Sequence, residues 1–275
     1  MFGEIAMAKK ITIDEKLRRR EIKTPPKWFY WLLMQITKLL NLLSNTHFTF
    51  RAYPGKDPSN IVMIANHASR VDYQFTGPVC MPKMLNYMVG YNEFFRFPTN
   101  IILPYMQVIP KKNFTPDTNT IRKVLSIAKQ GGNICFMPEG MSSITGMAQP
   151  VIPGGAKLLK KLGLPVYYSK ISGGYLTYTK HCLDMRKGRI EVTVDRMFTA
   201  EELASMSVAE IEDRMNRLLA HDDYIWNREK QYRFNGKGQM AKNLGDLLYL
   251  CPKCGELYKM ESHGNRMTCT ACGNA

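Results

Sequence analysis

The run Ile61-Val62-Met63-Ile64-Ala65, closed by Asn66-His67, constrains the fold of this chain more than any other stretch. An aliphatic run this short reads as a buried strand, and one that ends in Asn-His places polar side chains at that strand's carboxyl end. Open α/β sheets keep their reactive groups at that edge. A second run, Asn133-Ile134-Cys135-Phe136, leads into Met137-Pro138-Glu139-Gly140-Met141-Ser142-Ser143 and again sets a charged residue and a glycine at a strand's end. A chain of 275 residues, 45% of them hydrophobic, can bury a full core, so one α/β domain with appendages is expected.

His67 and Asp72 stand five positions apart. If the segment after His67 turns into the first coil of a helix, Asp72 comes back beneath the imidazole and accepts a hydrogen bond from one ring nitrogen. The other nitrogen is then a proton acceptor. Such a pair can deprotonate a hydroxyl that attacks a carbonyl carbon, which is the chemistry of acyl transfer. A histidine followed by an aspartate also arises by chance in ordinary loops, and it is the second motif that changes the balance.

Together, Asn66-His67-x-x-x-x-Asp72 and Phe136-Met137-Pro138-Glu139-Gly140 resemble the glycerolipid (1-acylglycerol-3-phosphate) acyltransferase family, whose members share an Asn-His-x-x-x-x-Asp block and a later Phe-Pro-Glu-Gly block. Val108-Ile109-Pro110-Lys111 is similar to a strand of that family that ends in a basic residue, and the likeness extends over about residues 30 to 200. The resemblance implies an α/β fold, a mixed sheet flanked by helices. It implies His67 as general base and Asp72 as its orienter. It also implies a substrate site drawn from Asn66, Arg70, Lys111, Lys112, Glu139, Gly140, Ser142 and Ser143, with Lys111 against a head-group phosphate. The expected reaction moves a fatty acyl group from acyl-CoA or acyl carrier protein to 1-acylglycerol-3-phosphate, with no cofactor needed for the chemistry. One departure bears on specificity: the family usually reads Glu-Gly-Thr-Arg-Ser where this chain has Glu139-Gly140-Met141-Ser142-Ser143. Arginine clamps phosphate with two bonds, whereas lysine acts as a point charge. A different lipid or an amine acceptor therefore stays open.

The net charge of +15 calls for anionic partners, which nucleic acid, an acidic membrane and phosphorylated substrates all satisfy. The amino terminus narrows the choice. Residues 9–27 are strongly basic, and Pro25-Pro26 opens a helix beginning Trp28-Phe29-Tyr30-Trp31-Leu32-Leu33 and running to Leu43. A spanning helix needs roughly 20 apolar residues, and this one is shorter and interrupted by Lys38. Lying in the interface of an anionic membrane is favoured over plain packing on the core, with the cations at the head groups. Residues 1–24 offer no secretory signal, so a cytoplasmic place on the inner face of the cell membrane is expected.

Seven cysteines include a second motif: Cys251-Pro252-Lys253-Cys254-Gly255 and Cys269-Thr270-Ala271-Cys272-Gly273. Two such knuckles look like a zinc ribbon whose four thiolates enclose a structural Zn²⁺, leaving His263 on the hairpin surface. Only three residues follow Cys272, so the ribbon is expected to lack its closing strand. The expected division is 1–50 basic arm and interfacial helix, 51–220 catalytic domain, 221–248 charged and aromatic linker, and 249–275 ribbon. Residues 200–219 read as helix over one face of the core. The competing reading is a zinc-ribbon nucleic-acid-binding protein. It accounts for ribbon and charge but not for two motif-bearing strand ends, and nucleic acid is not the expected partner.

Overall fold

The computed structural model describes residues 12–113, 115 and 117–275. Lys9 and Lys10, at the start of the basic arm, lie outside the described residues. Helices α1 (Ile13–Arg19) and α2 (Lys27–Leu43) come first and lead into strand β1 (Thr46–Phe50). The apolar run ending at Ala65 forms β2 (Val62–Ala65) and is followed by α3 (Tyr73–Cys80), β3 (Leu85–Gly90), α4 (Thr99–Tyr105), β4 (Ile109–Lys111), α5 (Thr118–Lys129) and β5 (Asn133–Phe136). After α6 (Gly155–Leu162) the chain makes β6 (Val166–Ser172), the short α7 (Gly174–Thr177) and β7 (Ile190–Phe198).

The seven strands form one sheet in the order β1-β7-β6-β2-β5-β3-β4. The five from β6 to β4 run parallel, β7 is antiparallel to β6, and β1 is parallel to β7. This is the mixed sheet flanked by helices that the motifs imply. In β2 every residue is buried because both faces are covered: Met63 and Ala65 face a core layer containing Tyr30 and Met34 of α2 and Phe75 and Val79 of α3. Val62 and Ile64 face the other layer, built on Val124 and Ile127 of α5 and Leu158 and Leu159 of α6. A strand covered on both sides has no polar alternation, which is why the run reads as uninterrupted apolar sequence. Leu17 and Ile22 from the amino-terminal segment also enter these layers.

The stretch expected as one helix over residues 200–219 is two, α8 (Ala200–Ser205) and α9 (Val208–Leu219). Each begins with its own capping box, Thr199 with Glu202 and Ser207 with Glu210, and the second box starts a new helix where periodicity suggested continuity. Ile211, Met215 and Leu219 then seat α9 on the second layer. Beyond α10 (Asp223–Lys230), a hairpin of β8 (Met260–His263) and β9 (Arg266–Cys269) closes the chain.

In α2 the pattern is inverted. Its packed face includes Thr37 and Asn41 beside Tyr30 and Met34, and Asn41 donates to the Gln74 carbonyl at 2.9 Å. The outward face carries Trp28 (64% exposed), Trp31, Ile36, Leu39, Leu42 (76% exposed) and Leu43. Phe97, Ile101 and Tyr105 of the α4 region are also exposed, and the Tyr105 ring meets Phe29 at 4.8 Å and Trp28 at 6.3 Å. The two helices therefore share one continuous apolar surface. Among the described residues, no helix is long and apolar enough to cross a membrane.

Candidate active site

The parallel strands β2, β3, β4 and β5 all end at one edge of the sheet, and a cavity of about 300 Å³ opens there. From the end of β2 the chain turns through Ala68-Ser69-Arg70-Val71 into α3, with Asp72 at the helix N-cap. That turn brings Asp72 Oδ2 to 2.8 Å from His67 Nδ1, the expected pairing. Ser69 donates to the same carboxylate from its backbone N–H at 2.9 and 3.0 Å and from Oγ at 2.6 Å, so Asp72 is held rigidly and is almost wholly buried. With Nδ1 turned to the carboxylate, Nε2 is the nitrogen left to accept a proton.

Glu139, at the end of β5, stands where the sheet order brings β5 beside β2. Its Oε1 accepts from the His67 backbone N–H at 2.7 Å and its Oε2 from the Gln149 N–H at 2.9 Å. Burial raises its pKa while those two N–H groups oppose the rise. Gly140 follows with φ +76°, and a β-carbon there would lie 2.1 Å from Ile152 Cδ1. Lys111, carried by β4, lines the same cavity, and burial lowers its pKa against the pull of Asp117.

His67, Arg70, Asp72, Lys111, Gly140 and Ser142 all line this cavity. Four other residues expected at the substrate site do different work. Both ends of the Asn66 amide are taken by the Ile171 backbone at 2.9 and 2.7 Å, which ties β2 to β6. Both Glu139 oxygens brace backbone, as described, because the carboxylate is enclosed by the two loops it joins. Ser143 donates its N–H to the His67 carbonyl at 2.7 Å and its hydroxyl to Met147 O at 2.7 Å. Lys112 points outward, 3.7 Å from Asp14 and 5.3 Å from the Tyr91 ring centroid. Arg70 lines the cavity, but its guanidinium donates to the carbonyls of Thr179, Cys182 and Leu183 and so pins that loop.

The pinned loop supplies a residue that motif reading missed. Lys180 lines the cavity with its Nζ 2.6 Å from Ser142 Oγ. A second cation therefore stands beside the position where the arginine of the family pattern is absent. No local signal marks Lys180, because it comes from outside both motifs and reaches the site only through the β6–β7 connection. Asp223 is a second omission: fully buried, it accepts from the N–H groups of Gly173, Tyr175 and Leu176 at 2.8, 2.8 and 3.2 Å. His221 lies 3.6 Å from it, also buried.

At the far end of the chain, the Sγ atoms of Cys251, Cys254, Cys269 and Cys272 lie within 4.8 Å of one another. The pairs Cys251–Cys272 and Cys254–Cys269 are 3.8 and 3.7 Å apart, too long for a disulfide. A tetrahedron of thiolates around zinc, with bonds of ~2.3 Å, has edges of ~3.8 Å, so the four cysteines fit that ion. Both knuckles close alike, the Gly255 N–H on Cys251 O at 3.0 Å and the Gly273 N–H on Cys269 O at 2.8 Å. His263 is exposed on β8, 3.2 Å from Glu261 and away from the thiols, as the spacing implied.

Comparison with known proteins returns a family and a fold. The Acyltransferase family model matches residues 49–170, the span that holds both motifs and Lys111. The crystal structure of the 1-acyl-sn-glycerophosphate (LPA) acyltransferase PlsC from Thermotoga maritima is similar with a TM-score of 0.61 at 15% identity. The alignment covers 80% of this chain and 84% of that one, and at such identity the likeness is one of fold. No curated protein matches the chain.

Proposed function

We propose that this chain, whose residues 49–170 match the Acyltransferase family model, moves a fatty acyl group from a thioester donor to the free hydroxyl of a lysophospholipid, with 1-acylglycerol-3-phosphate as acceptor and phosphatidate as product. The observation that carries this reading is the 2.8 Å His67–Asp72 pair in one cavity with two lysines, Lys111 and Lys180. His67 Nε2 takes the hydroxyl proton as the acceptor oxygen attacks the thioester carbonyl. Asp72 stabilises the imidazolium. When the C–S bond breaks, the departing thiolate recovers the proton from the ring, and no acyl-enzyme forms. A base so positioned contributes ~10²–10⁴-fold in rate.

The same cavity supports a phosphorylated acceptor. Lys111 and Lys180 give two ammonium groups, and Ser142 adds a hydroxyl whose Oγ accepts from Lys180. With the Arg70 guanidinium taken up by loop carbonyls, two lysine point charges stand in for the bidentate clamp of the family pattern, which favours a phosphomonoester over an uncharged head group. The exposed apolar surface of α2 and α4 supports delivery of the acceptor from an anionic membrane on the cytoplasmic side, with that surface in the interface. The cysteine tetrad holds a structural Zn²⁺, closed to substrate by its four ligands. In this reading residues 1–50 dock and 51–220 catalyse, while 221–248 link to the 249–275 ribbon.

Incubating the purified protein with lysophosphatidate and a panel of long-chain thioesters, followed by mass spectrometry of the lipids, tests the proposal. Phosphatidate carrying the donor's chain is the expected product. An acylated neutral lipid or amine in place of phosphatidate would transfer the chemistry to another acceptor, and no acylated product with any donor would end the reading.

A further inference from the structure

The segment between α1 and α2 does not lie flat on the outside of the fold. Residues 18–24 run alongside α5 and enclose with it a groove of about 690 Å³. Arg18, Arg19, Arg20 and Lys23 line one wall and Arg122 and Lys123 the other, against Glu21 as the one lining carboxylate. Arg18 is paired with Asp14 at 3.0 Å, whereas the remaining five cations have no carboxylate within 4.0 Å among the described residues. Two of the five are recessed. Lys123 is only 8% exposed, its ammonium held by the Leu17 carbonyl, and Arg20 Nη1 is buried without a partner while Nη2 donates to Pro104 O. Burial first, and then Arg20, lowers the pKa of Lys123. Charge concentrated this way without counter-charge is costly unless an anion neutralises it.

The groove stands at the end of a row of adjacent cavities that begins at the dyad cavity. That cavity shares Lys111 with a neighbouring one, the neighbour shares Lys112 and Asp117 with a third, and the third shares Arg18 and Asn119 with the groove. A track marked by Lys111, Lys112 and Arg18 therefore leads from His67 to the groove. A concave site with cations in its wall suits a small, multiply charged anion. A carrier protein or a bilayer would meet the rim, Arg19 and Arg122, and leave Lys123 out of reach. The exposed apolar residues of α2 and α4 are not among the groove's lining.

We propose that this groove binds the phosphates of a nucleotide-bearing thioester donor, its nucleoside diphosphate seated among Arg19, Arg20, Arg122 and Lys123 and its arm lying along Lys112 and Lys111 toward His67. The inference rests on the acyl-transfer reading for its orientation, but binding can be measured without turnover. Isothermal titration of the full-length chain with free coenzyme A, ADP and inorganic pyrophosphate is compared with sedimentation on phosphatidylglycerol vesicles. Arg19→Gln/Arg122→Gln, both exposed positions, is expected to weaken coenzyme A and ADP about tenfold or more and to lower vesicle sedimentation by far less, because the other cations of the arm and the exposed rings of α2 still dock. Lys123→Gln should act in the same direction, and its circular dichroism melt separates lost binding from lost fold. Unchanged coenzyme A binding in the double variant overturns the site, and loss of vesicle binding alone reassigns it to lipid head groups. A protein that acylates lysophosphatidate only from a carrier-protein thioester, and binds no coenzyme A, overturns this inference and leaves the acyltransferase reading standing.

Discussion

Asp72 receives four hydrogen bonds, one from the imidazole and three from Ser69, so its position does not depend on His67. In Asp72→Asn the Ser69 donors can still find the amide oxygen, while the NH₂ group is turned toward Nδ1. The ring then keeps its place but presents the wrong tautomer, and kcat is expected to fall ~10²–10⁴-fold with little change in KM. A variant retaining most of its turnover would show that the pair is not the base. Lys180→Met should raise KM for lysophosphatidate and leave kcat near that of the parent, because its ammonium meets the acceptor and not the reacting carbonyl. Equal loss in both parameters would place Lys180 at the chemistry instead. Behind the dyad, burial pushes His221 down to about 4 and Asp223 up to about 7. Between these limits the folded pair holds one proton, and the unfolded chain, with Asp near 3.8 and His near 6.5, also holds one. Stability should therefore be flat across this window. In His221→Gln only Asp223 titrates: the folded state binds a proton that the unfolded state has lost, so stability falls as pH rises from about 4 to 7, by up to about 1.4 kcal/mol per pH unit. Urea denaturation at three pH values reads the difference, and parallel slopes in the two proteins would refute it.

Among the elements, α2 is where surface and core exchange their usual chemistry. Its inward face tolerates Thr37 and Asn41 because each finds a backbone acceptor, Thr37 Oγ1 the Met34 carbonyl at 3.0 Å and Asn41 the Gln74 carbonyl. Its outward face exposes rings and leucines that make no use of the core. Trp28→Ser/Trp31→Ser should therefore leave thermal stability within about 0.5 kcal/mol, as surface changes do. The same change removes large aromatic groups, each worth ~1.5–3 kcal/mol when buried, from any membrane contact. Sedimentation with anionic vesicles is expected to drop sharply, and full retention would mean that another surface docks. The motif helices α8 and α9 illustrate the opposite economy of local signals. Periodicity alone joins them, and the capping box of Ser207 with Glu210 divides them.

For the whole molecule, the two core layers draw on residues from Leu17 to Leu219, and the hairpin with its thiols contributes to neither. The linker that leads to it is tied to the core by polar links, Lys242 with Asp184 at 2.7 Å and Arg186 with the Met240 carbonyl at 2.8 Å. With zinc in the tetrad, as proposed, a hairpin this small would owe its fold to the ion. A chelator that strips zinc is thus expected to abolish a separate, minor calorimetric transition and leave the main one within a few degrees. Collapse of the main transition would show that the ribbon supports the catalytic fold.

Several parts of this molecule were legible in residue order because short-range physics decides them. An aliphatic run buried on both faces, a five-residue spacing that the turn ahead of α3 folds back on itself, and paired knuckles with a glycine at positive φ all act within a few residues. The His67–Asp72 pair and the cysteine tetrad belong to that class. What sequence order could not decide is which side chain a loop delivers across the sheet. Placing β5 between β2 and β3 set the Glu139 carboxylate on the His67 backbone N–H, and the β6–β7 connection brought Lys180 to Ser142. Likewise, packing residues 18–24 against α5 turned a basic stretch into a recessed groove. Each of these contacts joins residues far apart in the chain, and only the assembled sheet and its two covered faces bring them together.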